Sequence, residues 1–210
     1  HLAQKNRQYF QSQALFVINL LSSPGSGKTT LLEKILHDCR NHCHIGVIVG
    51  DLATDNDAMR LLHQGAPIMQ ITTGNACHLE AKMIAQAVQQ LNLAQLDLLI
   101  IENVGNLVCP AAYDLGENLR IVLLSVTEGE DKPLKYPTMF KSADIVIINK
   151  IDLSEAVEFK RDIALSNIQK IAPQAKIFEL SAKTGQGITS LLAYLLKFKT
   201  PFLETSKRTR

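Results

Sequence analysis

Neither sign of charge dominates this chain: 22 basic residues stand against 20 acidic ones for a formal net charge of +2, so no global field recruits nucleic acid or an anionic membrane surface. Long hydrophobic runs are missing too. The longest, such as 14–21, spans about eight residues, well short of the roughly 20 that a membrane-crossing helix requires, and no signal-peptide pattern precedes it. No nucleic acid and no membrane are expected as partners, and the cytoplasm is the expected compartment. Cysteine is sparse: Cys39, Cys43, Cys77 and Cys109 fall at irregular spacings in a chain of 210 residues, which argues against a disulfide framework and leaves metal-binding or catalytic roles open. Internal repeats, low-complexity tracts and a convincing domain linker are absent as well. With 46% apolar residues the chain can build one sizeable core, so 1–210 is read as a single domain with a short N-terminal helix and a frayed polar C-terminal tail. It begins at His1 rather than methionine, which leaves room for a further segment ahead of it.

What is present alternates. Short apolar runs bounded by turn residues fall at 14–21, 45–49, 67–72, 97–102, 119–126, 144–149 and 176–180, and each reads as a strand. Between them lie stretches of helical period at 28–39, 57–63, 78–91, 154–171 and 187–198, with a weaker amphipathic helix near 2–11. In 78–91 the residues Leu79, Met83, Ala87 and Leu91 recur at helical spacing and are assigned to the core. Continuous apolar strands between helices predict an α/β fold of the P-loop NTPase kind, a mostly parallel seven-stranded sheet with helices on both faces.

SSPGSGKTT at 22–30 follows the first strand and opens the first long helix, the setting a phosphate-binding loop requires. Pro24, Gly25, Ser26, Gly27, Lys28, Thr29 and Thr30 form this loop, whose backbone N–H groups and helix N-terminus supply positive potential. Lys28 would reach the β and γ phosphates, and the Thr29 hydroxyl would ligate Mg²⁺. Ser22 stands where such loops usually carry glycine. NKID at 149–152 ends the sixth strand: Asp152 can accept from guanine N1 and N2 together, Asn149 faces the other edge, and the Lys150 stem covers the ring. Ser181, Ala182 and Lys183 follow the seventh strand, where the Ala182 N–H would meet guanine O6. The nucleotide is therefore read as GTP. Asp51 and Glu102 end two strands at the carboxyl edge, where open α/β sheets bind ligands, and both are assigned to the Mg²⁺ region. Gly105 would give its N–H to the γ phosphate. Asn106 falls where many small GTPases keep a water-orienting glutamine, so hydrolysis is expected to be slow, with Asp51 or Asp55 positioning the water.

Cys77 and His78 stand at the start of the helix expected over 78–91, where the N-terminal partial charge favours a thiolate. Cys109 leaves the carboxyl edge of another strand and is the third candidate ligand. Thiolates with an imidazole suit Ni²⁺ and Zn²⁺ alike, and three ligands need water or a second subunit to complete the site. Purely structural cysteines are the competing reading. Gly105 and Cys109 lie four residues apart, a span of at most about 14 Å, so the order of one constrains the other.

In order along the chain come SSPGSGKTT, GDLATDND at 50–57, TTGNACHLEA at 72–81, ENVGNLVCP at 102–110, TEGEDKPLKYP at 127–137 and NKIDL at 149–153. Over residues 4–198 this series resembles the HypB family of hydrogenase nickel incorporation proteins. The resemblance implies a GTPase of nickel-iron hydrogenase maturation that works with a HypA-like zinc protein and the hydrogenase large subunit. It further implies a homodimer promoted by GTP, with Cys77, His78 and Cys109 forming a nickel or zinc site at its interface, and Lys132 or Lys135 near the base or the partner's site. The Cys-rich or His-rich N-terminal extensions of some members do not occur in this sequence. The urease-accessory UreG type, the alternative, usually carries Cys-Pro-His where Cys109, Pro110 and Ala111 stand. A regulatory GTPase with inert thiols, or a non-enzymatic metal store, are the remaining readings.

Overall fold

In the computed structural model of the protein, residues 1–51 and 56–207 are described, with side chains to 197. Seven strands in this range form one parallel sheet: β1 Phe16–Ser22, β2 Ile45–Asp51, β3 Ile68–Thr72, β4 Leu98–Glu102, β5 Leu119–Ser125, β6 Ile145–Asn149 and β7 Lys176–Glu179. Their spatial order is β3-β2-β4-β1-β5-β6-β7, and every neighbouring pair is parallel. The helices are α1 Leu2–Ser12, α2 Lys28–Cys39, α3 Asn56–Leu62, α4 Ala81–Ala87, α5 Lys132–Lys135, α6 Pro137–Lys141, α7 Arg161–Ile171 and α8 Ile188–Lys207.

Side-chain alternation sorts the core. Phe16, Ile18 and Leu20 of β1 point to one face and pack with α2, α3 and α8; Val17 and Leu21 point to the other, over which α1, α4, α6 and α7 lie. The same parity runs through β4, so Leu98 and Ile100 share the α2 face while Leu99 and Ile101 share the α1 and α4 face. Continued past the strand end, it sends Glu102 and Asn103 to opposite sides of the sheet. That division matters below.

Several boundaries differ from the sequence expectation. The helix expected from residue 78 starts at Ala81, after an extended Glu80. Two hydrogen bonds explain the delay: Ala76 N–H closes a turn onto Thr73 O, and Leu79 N–H is taken by the Asn103 side chain rather than by a carbonyl one turn back. Cys77 and His78 thus lie in a loop ahead of the helix. α7 starts at Arg161 rather than 154, because Glu158 sits at φ 52 in the left-handed region. The stretch 132–141, left without a helix in the sequence reading, folds as two short helices separated where Pro137 opens the second. The last helix, expected to end near 198, continues as helical backbone to Lys207. No helix among the described residues is long and apolar enough to cross a membrane.

Candidate nucleotide site and thiol cluster

The phosphate loop sits beyond β1, where the chain moves to opposite sides of the sheet, the crevice in which such folds bind ligands. Gly25 and Gly27 adopt φ +73 and +99, conformations that a β-carbon would strain. A β-carbon at Gly27 would also stand 2.6 Å from Asn149 Nδ2. Ser22 keeps an ordinary negative φ and uses its hydroxyl to accept from Lys28 Nζ at 2.8 Å. The serine that departs from the usual loop therefore parks the lysine. Burial lowers the Lys28 pKa, opposed by the nearby carboxylates of Glu102, Asp57, Glu128 and Asp51.

A cavity of about 420 Å³ lies over this loop, lined among others by Lys28, Thr29, Asp51, Glu102 and Gly105. Thr29 Oγ1 donates to Glu102 Oε1 at 2.9 Å, while Glu102 Oε2 is buried with no hydrogen-bond partner. Burial pushes the Glu102 carboxyl up to about 7 against the pull of Lys28 and the Thr29 hydroxyl. A buried, half-satisfied carboxylate beside a threonine hydroxyl is the donor set a hard cation needs, so Thr29, Glu102 and Asp51 fit Mg²⁺. Arg60, which the sequence reading missed, also lines the cavity and reaches Thr30 Oγ1 at 3.2 Å and Glu33 Oε2 at 2.7 Å. Only its place on α3, facing α2, marks it out. Asp55 lies outside the described residues. Gly105 is pressed on the loop: a β-carbon there would come within 3.0 Å of the Pro24 backbone.

At the base end, Asn149 is buried between two loops. Its Nδ2 donates to Ser26 O at 2.9 Å and its Oδ1 accepts from Ala182 N at 3.0 Å. It braces the phosphate loop against the 181–183 turn, and the Ala182 N–H assigned to guanine O6 is held by it. Lys150, at φ 63, lays its stem across the loop and donates to Gly25 O at 2.7 Å. The Ser181 hydroxyl accepts from Thr184 N at 3.1 Å, which leaves Asp152 and Lys183 exposed at the rim.

On the other side of the sheet the three candidate ligands do converge. One ligand atom from each of Cys77, His78 and Cys109 falls within 4.8 Å of the others, and all three residues are half-buried. Asn106 ties the two contributing segments together: Nδ2 donates to Cys77 O at 3.4 Å and Oδ1 accepts from Val108 N at 2.8 Å. It is thus engaged with the thiol loop rather than aimed at a phosphate. The His78 ring stacks on Tyr113 with centroids 3.9 Å apart at 23°. Nδ1 faces the sulfur of Cys77 at 3.8 Å, and Nε2 lies 3.4 Å from Glu80 Oε1, close enough for a charge contact but not aligned as a hydrogen bond.

The expected thiolate at Cys77 is not favoured. Its neighbour Cys109 raises the pKa first and burial second, and no helix terminus adjoins it. A protonated thiol must lose its proton to hold a metal ion, so ion binding releases protons and strengthens as pH rises. Nickel affinity of the purified protein, titrated between pH 6 and 9, is expected to climb steadily, by up to about tenfold per pH unit for each proton displaced. A flat profile would show that Cys77 is not a ligand.

Residues 16–179 match the family model described as CobW/HypB/UreG, nucleotide-binding domain. The chain is 48% identical over 193 residues to the hydrogenase maturation factor HypB of Rhizobium leguminosarum bv. viciae, covering 92% of this chain and 64% of that protein. It is 48% identical over 201 residues to the hydrogenase/urease maturation factor HypB of Helicobacter pylori, covering 94% of this chain and 82% of the relative. A crystal structure of HypB from Helicobacter pylori in complex with nickel superposes with a TM-score of 0.91 at 47% identity, over 95% of this chain and 94% of that one.

Proposed function

Because the chain belongs to the CobW/HypB/UreG family, with HypB proteins as its relatives, we propose that it hydrolyses GTP to drive nickel delivery during nickel-iron hydrogenase maturation. It spans 64% of the length of the Rhizobium relative, so the reading concerns what this portion does. The observation that carries it is the convergence of Cys77, His78 and Cys109 within 4.8 Å, with Cys109 on the segment that begins at Glu102, against the phosphate loop. The nickel held by the Helicobacter pylori protein supports the choice of ion; zinc fits the same donors.

In this reading Asp152 recognises guanine, and the loop amides with Lys28 hold the phosphates. Lys28 leaves Ser22 for the phosphoryl oxygens, and Asp51, at the end of β2 beside the cavity, orients the attacking water. Mg²⁺, when held by Thr29, Glu102 and Asp51, would neutralise charge developing on the phosphates. The nickel ion is cargo. Three donors leave its coordination open, and a second copy across a two-fold axis, assembled with GTP, would supply the remainder. A HypA-like zinc protein and the hydrogenase large subunit are the proposed partners, and the cytoplasm the proposed compartment.

A nickel titration in the GDP state and with a non-hydrolysable GTP analogue, with mass followed by light scattering, tests this. Affinity is expected to differ between the two states by roughly 5- to 150-fold, and the analogue is expected to shift the mass to the dimer. Equal affinities and a monomer in both states would remove the reading.

A further inference from the structure

Beneath the thiol loop runs a buried chain of polar side chains, a costly feature in a sheet otherwise packed with aliphatic residues. It starts at Asn103, immediately after Glu102, on the face of the sheet opposite the phosphates. Asn103 is 1% exposed; its Oδ1 accepts from Leu79 N at 3.2 Å and Val104 N at 3.0 Å, and its Nδ2 donates to Asn19 Oδ1 at 3.2 Å. Asn19, 0% exposed at the centre of β1, passes the chain on through Nδ2 to Glu117 Oε1 at 3.2 Å. Glu117 Oε1 also accepts from Arg120 Nε at 2.8 Å, and Arg120 is the register partner of Asn19 on β5. The guanidinium then forks onto the turn that carries Cys109: Nη1 donates to Ala111 O at 3.1 Å and Nη2 to Tyr113 O at 2.6 Å.

Both halves of the thiol cluster hang from this chain. One end holds Leu79, the residue after His78. The other holds Tyr113, whose ring backs the His78 imidazole, and the turn that starts at Cys109. Resting on the nucleotide-gated nickel reading above, we propose that Asn103, Asn19, Glu117 and Arg120 are positioning residues that transmit the state of the Glu102–Gly105 segment to the nickel ligands. Every side-chain nitrogen and oxygen in the chain has at least one hydrogen-bond partner, Glu117 Oε2 accepting from Leu115 N at 2.8 Å. A shift at Asn103 when Gly105 engages or releases the γ phosphate would orphan a buried group unless the rest moves with it, and a buried polar group left unpaired is costly. The chain therefore rearranges as a unit, and the amide of Leu79 and the carbonyls of Ala111 and Tyr113 go with it. Direct backbone linkage between Gly105 and Cys109 acts on one half of the cluster alone, whereas this network acts on both.

Two variants test it without touching any nickel or nucleotide ligand. Arg120→Lys keeps a cation beside Glu117 but cannot fork onto two carbonyls; Asn19→Leu cuts the chain in the middle with a side chain of similar size. Nickel affinity is measured for each in the GDP state and with the analogue, after circular dichroism and GDP affinity establish an intact fold. The expected result is that the ratio of the two nickel affinities falls from its parental value to within about twofold of one, while GDP affinity stays parental. By reciprocity the effect of nickel on analogue affinity collapses by the same factor. If both variants keep the parental ratio, or lower nickel affinity equally in both states, the residues are merely structural and the relay is overturned. A parental ratio of one would overturn the nucleotide-gated reading itself, and the relay with it. Should Asn19→Leu fail to fold, Arg120→Lys decides alone.

Discussion

Replacing Glu102 by glutamine is expected to stabilise the nucleotide-free protein at pH 8 while abolishing its Mg²⁺-dependent nucleotide binding. The carboxyl is 3% exposed, its Oε2 has no partner, and burial holds its pKa at about 7. A carboxyl whose folded pKa lies above its unfolded value binds more protons in the folded state. Its unfavourable contribution is therefore absent below the unfolded value of 4.5 and grows as pH rises through about 7. A shift of this size corresponds to on the order of 3 kcal/mol. Glutamine keeps the acceptor for Thr29 and never ionises. The expected gain at pH 8 is about 6–12 °C in melting temperature for a chain of this length, shrinking to nothing near pH 4.5. Differential scanning calorimetry at the two pH values reads it directly. Equal melting temperatures at pH 8 would mean that the carboxylate is already compensated without a cation, and the Mg²⁺ assignment would lose its physical basis.

The same residue shows how far sequence carried the site and where it stopped. Glu102, Lys28 and Thr29 were legible because each ends or begins an element whose apolar period is strong, and strand parity then fixes which face the side chain takes. The thiol cluster was legible only as a set of residue types at carboxyl edges. Its convergence depends on loop paths that Thr73, Asn106 and Arg120 shape through hydrogen bonds to backbone, and such bonds leave no periodic trace. For the same reason the helix N-terminus invoked for Cys77 was misplaced: the Asn103 side chain captures Leu79 N–H from across the sheet, a contact 24 residues distant. Asn149 belongs with these cases. Its place in the NKID motif points to the base, and nothing in that motif announces that its side chain also braces two loops.

The proposed choice of guanine over other purines centres on one carboxylate. The group proposed to read the N1 and N2 edge of the purine is Asp152, exposed on the turn Ile151–Leu153, whose geometry is set by Leu153 N–H on Lys150 O at 2.8 Å and by the Lys150 stem lying over the loop. Asp152→Asn replaces two acceptor oxygens with one acceptor and one donor. Against guanine, whose N1 and N2 both donate, one charge-assisted pair is lost and one donor meets a donor. Two such bonds at about 1.5–3 kcal/mol each correspond to a loss of roughly 10²- to 10⁴-fold in GDP affinity. Xanthine carries a carbonyl where guanine has its 2-amino group, so the asparagine NH₂ meets an acceptor there and xanthosine diphosphate becomes the preferred ligand. Because Asp152 touches neither the phosphate loop nor the thiol cluster, the variant loaded with xanthosine nucleotides should bind nickel as the parent does with guanosine nucleotides. Competition binding of the two diphosphates measures the switch. If Asp152→Asn holds GDP as tightly as the parent, guanine is not read here, and the GTP assignment falls while the thiol cluster stands untouched.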